Sequence, residues 1–322
     1  MDQLNYSDFM SFEEFISGAR NAVKTCMNIK RNESVLIISD RRMNRDFSEA
    51  LREAAEEQGA MATVKMMEPL ETHGQEPPEK IAELMKTPNV LFLVTSASLT
   101  HTKARKAATD KGIRIASMPG VSEFSFTQGG LTADYNQVKE YCTKMHEIMS
   151  RARMLRITTK AGTLVELQVG KYKWDPDTGI FHKRGDFGNL PSGEISTSPN
   201  EGTTHGVIVF DQMEGYKNVR LNVKSSVVDK MERAPKIQEM INQLGMKAKT
   251  IAEIGIGCNP KAKLIGNILE DEKVLGTVHI ALGNNTSYGG KNDVQFHYDG
   301  IIDKPTLVAD GKIIIRDGKW MI

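Results

Sequence analysis

Residues 294–300 read Val-Gln-Phe-His-Tyr-Asp-Gly, setting His297 and Asp299 two positions apart among residues that favour strands. Side chains alternate between faces in an extended segment. An imidazole and a carboxylate at i and i+2 therefore emerge on one side, where together they can ligate a divalent cation. A turn competes with this reading, because Asp-Gly is a hairpin dipeptide that the chain repeats at Asp310-Gly311 and Asp317-Gly318. His-x-Asp is too common a pattern to decide the matter alone.

Three further residues have settings that ask for a partner. His279 lies in the apolar, β-branched run Leu-Gly-Thr-Val-His-Ile-Ala-Leu-Gly, residues 275–283. Taken alone, it reads more simply as a core histidine bonded to a backbone carbonyl. Glu194 falls between a Pro/Gly turn and a strand-like run, and Glu253 stands inside the apolar run Thr-Ile-Ala-Glu-Ile-Gly-Ile-Gly. A glutamate buried in such a run is costly unless paired or ligating. A salt bridge would satisfy either glutamate, but that account weakens when both accompany two such histidines in one half of the chain.

The remaining histidines read as ordinary. His73 and His182 fall in loops, His101 begins a helix, His146 lies on an amphipathic helix, and His205 precedes a strand. Gly-Ile-Gly-Cys-Asn-Pro (255–260) lacks the third glycine of a dinucleotide fingerprint. It reads better as Asn259 capping, and Pro260 opening, a helix. Cys258 has no Cys–His signature around it.

Elements that would position these residues fall into two textures. Residues 1–130 alternate strand and helix patterns, with apolar β-branched runs such as Ser-Val-Leu-Ile-Ile-Ser-Asp (34–40) and Asn-Val-Leu-Phe-Leu-Val (89–94). This rhythm predicts an α/β, Rossmann-like domain with a parallel sheet, without the glycine fingerprint of a nicotinamide site. Residues 131–154 are expected to form a connecting helix carrying an apolar stripe. Residues 155–322 predict an α+β domain with hairpins, an irregular glycine-rich stretch over 175–189, helices over 229–244 and from Pro260, and a C-terminal strand meander.

Composition narrows the partners. Against 42 basic residues stand 41 acidic ones, for a net charge of +1 with no long run of either sign. Nothing there attracts nucleic acid or a membrane surface, so a small molecule is the expected partner. Cys26, Cys142 and Cys258 are odd in number and far apart, which suits free thiols in a reducing compartment. The first residues, Met-Asp-Gln-Leu-Asn-Tyr-Ser-Asp, are acidic where a signal peptide is basic, and no apolar run reaches membrane-span length. A cytoplasmic protein is expected.

Several separated motifs add up to a family resemblance. Asn-Leu-Pro-Ser-Gly-Glu-Ile-Ser-Thr-Ser-Pro (189–199), Ala-Glu-Ile-Gly-Ile-Gly-Cys-Asn-Pro (252–260), the stretch through His279, Ser-Tyr-Gly-Gly (287–290) and His-Tyr-Asp-Gly (297–300) occur here in one order. Together they resemble the aminopeptidase T (M29) metallopeptidases, and residues 101–120 look like that family's short, leucyl-aminopeptidase-like branch. The ring-cleaving iron enzyme 2,5-dihydroxypyridine 5,6-dioxygenase belongs to the same superfamily. The resemblance implies a metal set of Glu194, Glu253, His279, Tyr288, His297 and Asp299, with Glu253 and Tyr288 also catalytic. It implies two divalent ions (zinc, cobalt or manganese), a water attacking the N-terminal peptide bond of small peptides, and a homodimer. One departure matters: the segment between Tyr288 and His297 is short for the peptidases. His279, His297 and Asp299 also make a two-histidine, one-carboxylate triad, the ligand pattern of non-haem Fe(II) oxygenases. First expectation is therefore an aminopeptidase, and second an Fe(II) ring-cleaving dioxygenase.

Overall fold

A computed structural model describes residues 12–322, so the acidic segment through residue 11 lies outside the described residues. Two compact units result among the described residues, residues 12–135 with 179–192, and residues 136–178 with 193–322.

Along the first unit run α1 (Phe12–Asn21), β1 (Ser34–Asp40), α2 (Arg45–Glu57), β2 (Met61–Met67), α3 (Glu79–Leu84), β3 (Val90–Val94), α4 (Lys103–Asp110), β4 (Arg114–Ser117) and α5 (Glu123–Thr127). The four strands are parallel in the order β2-β1-β3-β4, as the alternating pattern predicted. β3 is buried throughout, as expected of a strand covered on both faces. β2, at the edge, is largely exposed. Asn44 and Thr102 cap α2 and α4 by accepting from the amides of Asp46 and Arg105.

The second unit opens with α6 (Tyr135–Met149), whose Val138, Cys142, Met145 and Met149 are buried at helical spacing. Then follow β5 (Met154–Thr158), β6 (Leu164–Gln168), β7 (Asp175–Asp177), β8 (Phe187–Asn189), β9 (Glu194–Thr197), β10 (His205–Met213), β11 (Tyr216–Lys224), β12 (Val227–Glu232), α7 (Pro235–Leu244), β13 (Ile251–Gly257), α8 (Ile268–Asp271), β14 (Val278–Gly283), β15 (His297–Ile302), β16 (Thr306–Ala309), β17 (Lys312–Arg316) and β18 (Lys319–Trp320). All but β8 join one large antiparallel sheet, in which β15-β14-β13-β9-β7 are consecutive neighbours.

Four sequence expectations change. The chain does not divide cleanly at residues 130–155: β8 returns to the first unit and pairs parallel with β4. The stretch 175–189 holds two short strands, β7 and β8, because its few extended residues find ladders only in the folded chain. Residues 229–232 are strand, and the helix starts only at Pro235, after Arg233 takes a left-handed φ of 69°. No helix starts at Pro260. The Asn259 side chain accepts from the amides of Lys261 and Ala262, a local turn that competes with helix, and only Ile268–Asp271 is helical.

The Asp-Gly question resolves by backbone conformation. Asp310 and Gly311 have φ of 46° and 82°, and Asp317 and Gly318 47° and 77°, as type I′ hairpin turns require. Asp299 and Gly300 instead lie within β15, paired with Ala281 and Ile280 of β14.

Candidate metal centre

Strand register alone brings the acidic and imidazole groups together. In the β13–β14 pair Gly255 faces His279 and Glu253 faces Ala281. Ala281 in turn faces Asp299, and Gly283 faces His297, across the β14–β15 pair. On the other side of β13, Gly257 faces Glu194 and Gly255 faces Ser196 of β9. Directly paired residues share a face, so Glu194, Ser196, Glu253, His279, His297 and Asp299 all project from the same side of four adjacent strands. Small residues floor the cluster. A methyl group on Gly255 would overlap Nε2 of His279, so glycine is what lets the imidazole lie over β13.

The groups converge closely. His297 Nε2 is 3.0 Å from Glu253 Oε2 and 3.6 Å from Asp299 Oδ2. His279 Nε2 is 3.4 Å from Glu194 Oε2 and 3.5 Å from Glu253 Oε1. Tyr288 joins from the turn after β14, its hydroxyl 3.0 Å from Ser196 Oγ. Nδ1 of His297 lies 2.8 Å from the Asn284 carbonyl. Donation to that oxygen fixes the ring and turns Nε2 inward, the usual arrangement behind a metal-bound histidine. Among the described residues, ligand atoms lie within 4.8 Å of one another in two sets, Glu253/His279/Asp299 and Glu194/Glu272/His279. His297 meets the first set through Glu253 and Asp299.

Two members of the cluster, Glu272 and Lys273, were not singled out in the sequence. Lys273 is fully buried, with Nζ 2.7 Å from Glu194 Oε1 and 2.5 Å from Glu272 Oε1. Burial opposes its charge, but the carboxylates of Glu194, Glu272 and Asp177 raise it above the ordinary lysine value. Burial pushes Glu272 up to about 8, only partly offset by Lys273. A lysine directly after three acidic residues gives no sequence signal that it will be buried.

The imidazoles feel the same field. Burial lowers His279, but Glu253, Glu194 and Asp299 more than offset it and raise the ring to about 9. Burial likewise opposes His297, while Asp299 and Glu253 bring it to about 10. Burial raises Asp299. Glu253 is driven well below its ordinary value because the two rings outweigh its burial. Burial holds Tyr288 well above the ordinary phenol value, so its hydroxyl is a neutral donor.

The donor set fits a divalent cation. Glu194 Oε2, both ring nitrogens of His279 and Asp299 Oδ1 are buried without hydrogen-bond partners. An unpaired buried polar atom costs about 1–3 kcal/mol, so Glu194 Oε2, His279 Nε2 and Asp299 Oδ1 in one cluster call for a partner. Imidazole nitrogens and carboxylate oxygens suit zinc, manganese, cobalt or ferrous iron.

Comparison with known proteins gives the chain's family. The family profile of NicX, 2,5-dihydroxypyridine 5,6-dioxygenase, matches residues 14–322. The chain belongs to this family. A NicX-family protein of Pseudomonas putida KT2440, the curated 2,5-dihydroxypyridine 5,6-dioxygenase, is 22% identical over 192 residues. That match takes in 53% of this chain and spans about half, 55%, of the relative's length. The solved structure of 2,5-dihydroxypyridine dioxygenase from the same organism superposes with a TM-score of 0.79 at 17% identity, covering 97% of this chain and 98% of that one. AmpT from Thermus thermophilus superposes with a TM-score of 0.73 at 16% identity, covering 97% of this chain and 100% of that one. At these identities the two structures establish a common fold.

Proposed function

We propose that this protein is a mononuclear, iron-dependent, ring-cleaving dioxygenase acting on a dihydroxylated pyridine-like ring. The observation that carries the reading is how positive charge is supplied. Lys273 already places an ammonium between Glu194 and Glu272, which leaves the cluster of His279, His297 and Asp299 for one ion. A two-ion peptidase needs the Glu194 side as well, so the oxygenase moves ahead of the aminopeptidase that the motifs favoured. Membership of the NicX family supports the same choice.

His279, His297 and Asp299 would hold the ion, with His297 oriented by the Asn284 carbonyl. When bound, ferrous iron supplies open coordination positions where an oxygen-donor substrate and dioxygen meet. Glu253, between the two rings, is assigned to accept the proton of a ring hydroxyl. Tyr288 and Ser196 form a hydroxyl pair able to donate to a substrate oxygen. Burial of Glu194, Glu253 and His279 keeps their contacts strong by limiting water. We take the partner to be a small molecule, the assembly a homodimer and the compartment the cytoplasm. Among the described residues, no helix is long and apolar enough to cross a membrane.

Parallel assays test the reading. Metal-free protein is reconstituted anaerobically with Fe(II) or with zinc or cobalt, then given 2,5-dihydroxypyridine with dioxygen, or a leucyl anilide. Oxygen uptake with loss of the ring chromophore, confined to the iron form, is expected. Hydrolysis by the zinc or cobalt form without oxygen uptake by the iron form overturns it and restores the peptidase, the reading that the M29-like motifs support.

A further inference from the structure

Lysine is seldom buried without a function for its charge. Lys273 is 0% exposed, and its ammonium lies between two carboxylates, 2.7 Å from Glu194 Oε1 and 2.5 Å from Glu272 Oε1. Its backbone is fixed on both sides: its amide donates to the Glu270 carbonyl and its carbonyl accepts from Asn259. The same carboxylates belong to the set Glu194/Glu272/His279, whose ligand atoms lie within 4.8 Å of one another. Glu194 spans both sides, with Oε1 on the ammonium and Oε2 toward His279 at 3.4 Å. That Oε2 and both nitrogens of His279 have no hydrogen-bond partner, so the set keeps donor capacity beyond what Lys273 uses.

We propose that Lys273 stands in for a second metal ion, and that Glu194 and Glu272 form a latent divalent-cation site closed by its ammonium, next to the ion that His279 would hold. Two buried carboxylates this close hold a cation or a proton between them, and here the cation is an ammonium. Removing the ammonium while keeping the residue's volume leaves two buried carboxylates, with Glu194 Oε2 still without a hydrogen-bond partner. That oxygen set, completed by water, suits manganese or zinc. This deepens the one-ion reading of the centre and rests on it.

The test is metal stoichiometry. Full-length protein, its Lys273→Met and Lys273→Gln variants, Lys273→Arg, and Lys273→Gln combined with Glu272→Gln are loaded with excess zinc, desalted and measured for metal per chain. Wild type, the arginine variant and the double variant should hold one ion, and the two neutral single variants two. Loaded with manganese, the neutral variants should give the electron paramagnetic resonance signal of a coupled pair. If a neutral variant does not fold alone, refolding with zinc should rescue it, and absence of rescue counts against the proposal. Two ions in wild type, or one in folded Lys273→Met and Lys273→Gln, overturns it. Oxygen uptake is scored separately. One ion in wild type with no dioxygenase activity sinks the catalytic reading and leaves the latent site standing.

Discussion

Gly255 and His279 meet across β13 and β14 with no room for a methyl group between them. Gly255→Ala should displace the imidazole, costing about 1–3 kcal/mol from overpacking and most of the metal bound per chain. Thermal melts and metal analysis on one preparation check both parts. The imidazoles themselves predict a pH dependence. In the metal-free protein His279 is raised to about 9 and His297 to about 10, from an ordinary 6.5. Between those limits the folded chain binds more protons than the unfolded one. Stability from these groups is therefore complete below about 6.5 and lost as pH rises through 9 to 10. The melting temperature of metal-free protein should fall across that window. Metal must displace the same protons, so its affinity should rise with pH, by up to about tenfold per pH unit for each proton released. A metal affinity independent of pH between 6.5 and 9 would contradict this charge assignment.

At the scale of elements, Asp-Gly dipeptides with one spelling serve two purposes. Gly300 lies in β15 against Phe210, where a methyl group would enter the ring, whereas Gly311 has open space and a φ of +82°. Gly300→Ala should destabilise by about 1–3 kcal/mol through overpacking and disturb the strand that carries His297 and Asp299. Gly311→Ala should cost about 1–2 kcal/mol from left-handed strain alone and leave metal binding unchanged. Denaturant melts with metal titrations separate the two. The strands of the site were legible in the sequence because their apolar and β-branched runs are long. Residues 229–232 and 260–267 were misread as helix, since helix-forming residues there are overruled by a left-handed Arg233 and by the Asn259 side-chain turn.

On the scale of the whole chain, the candidate ligands all belong to the unit of residues 136–178 and 193–322. Metal binding should therefore slow amide exchange in β9, β13, β14 and β15 and leave β1–β4 unchanged. An ion at a hundredfold excess over its dissociation constant adds about 2.7 kcal/mol to the stability of what it binds. Hydrogen-exchange mass spectrometry with and without chelator gives the map, and equal protection in the parallel sheet would refute the confinement. The return of β8 to the first unit escaped sequence reading. Three residues of strand carry too little local pattern to name a partner some 70 positions away in the chain.

By itself the sequence determined the α/β and antiparallel textures, and the candidate residues Glu194, Glu253, His279, His297 and Asp299, because costly polar groups in apolar or strand-like runs are visible one residue at a time; Tyr288 entered only through the family resemblance. Tertiary structure decided which of them share a face, through the register of β9, β13, β14 and β15. It also decided that Asp299 lies in a strand and not in a turn. It alone placed Lys273 between Glu194 and Glu272. Whether a charge in a run of charges faces water or a buried carboxylate depends on what folds over it, and no local pattern encodes that.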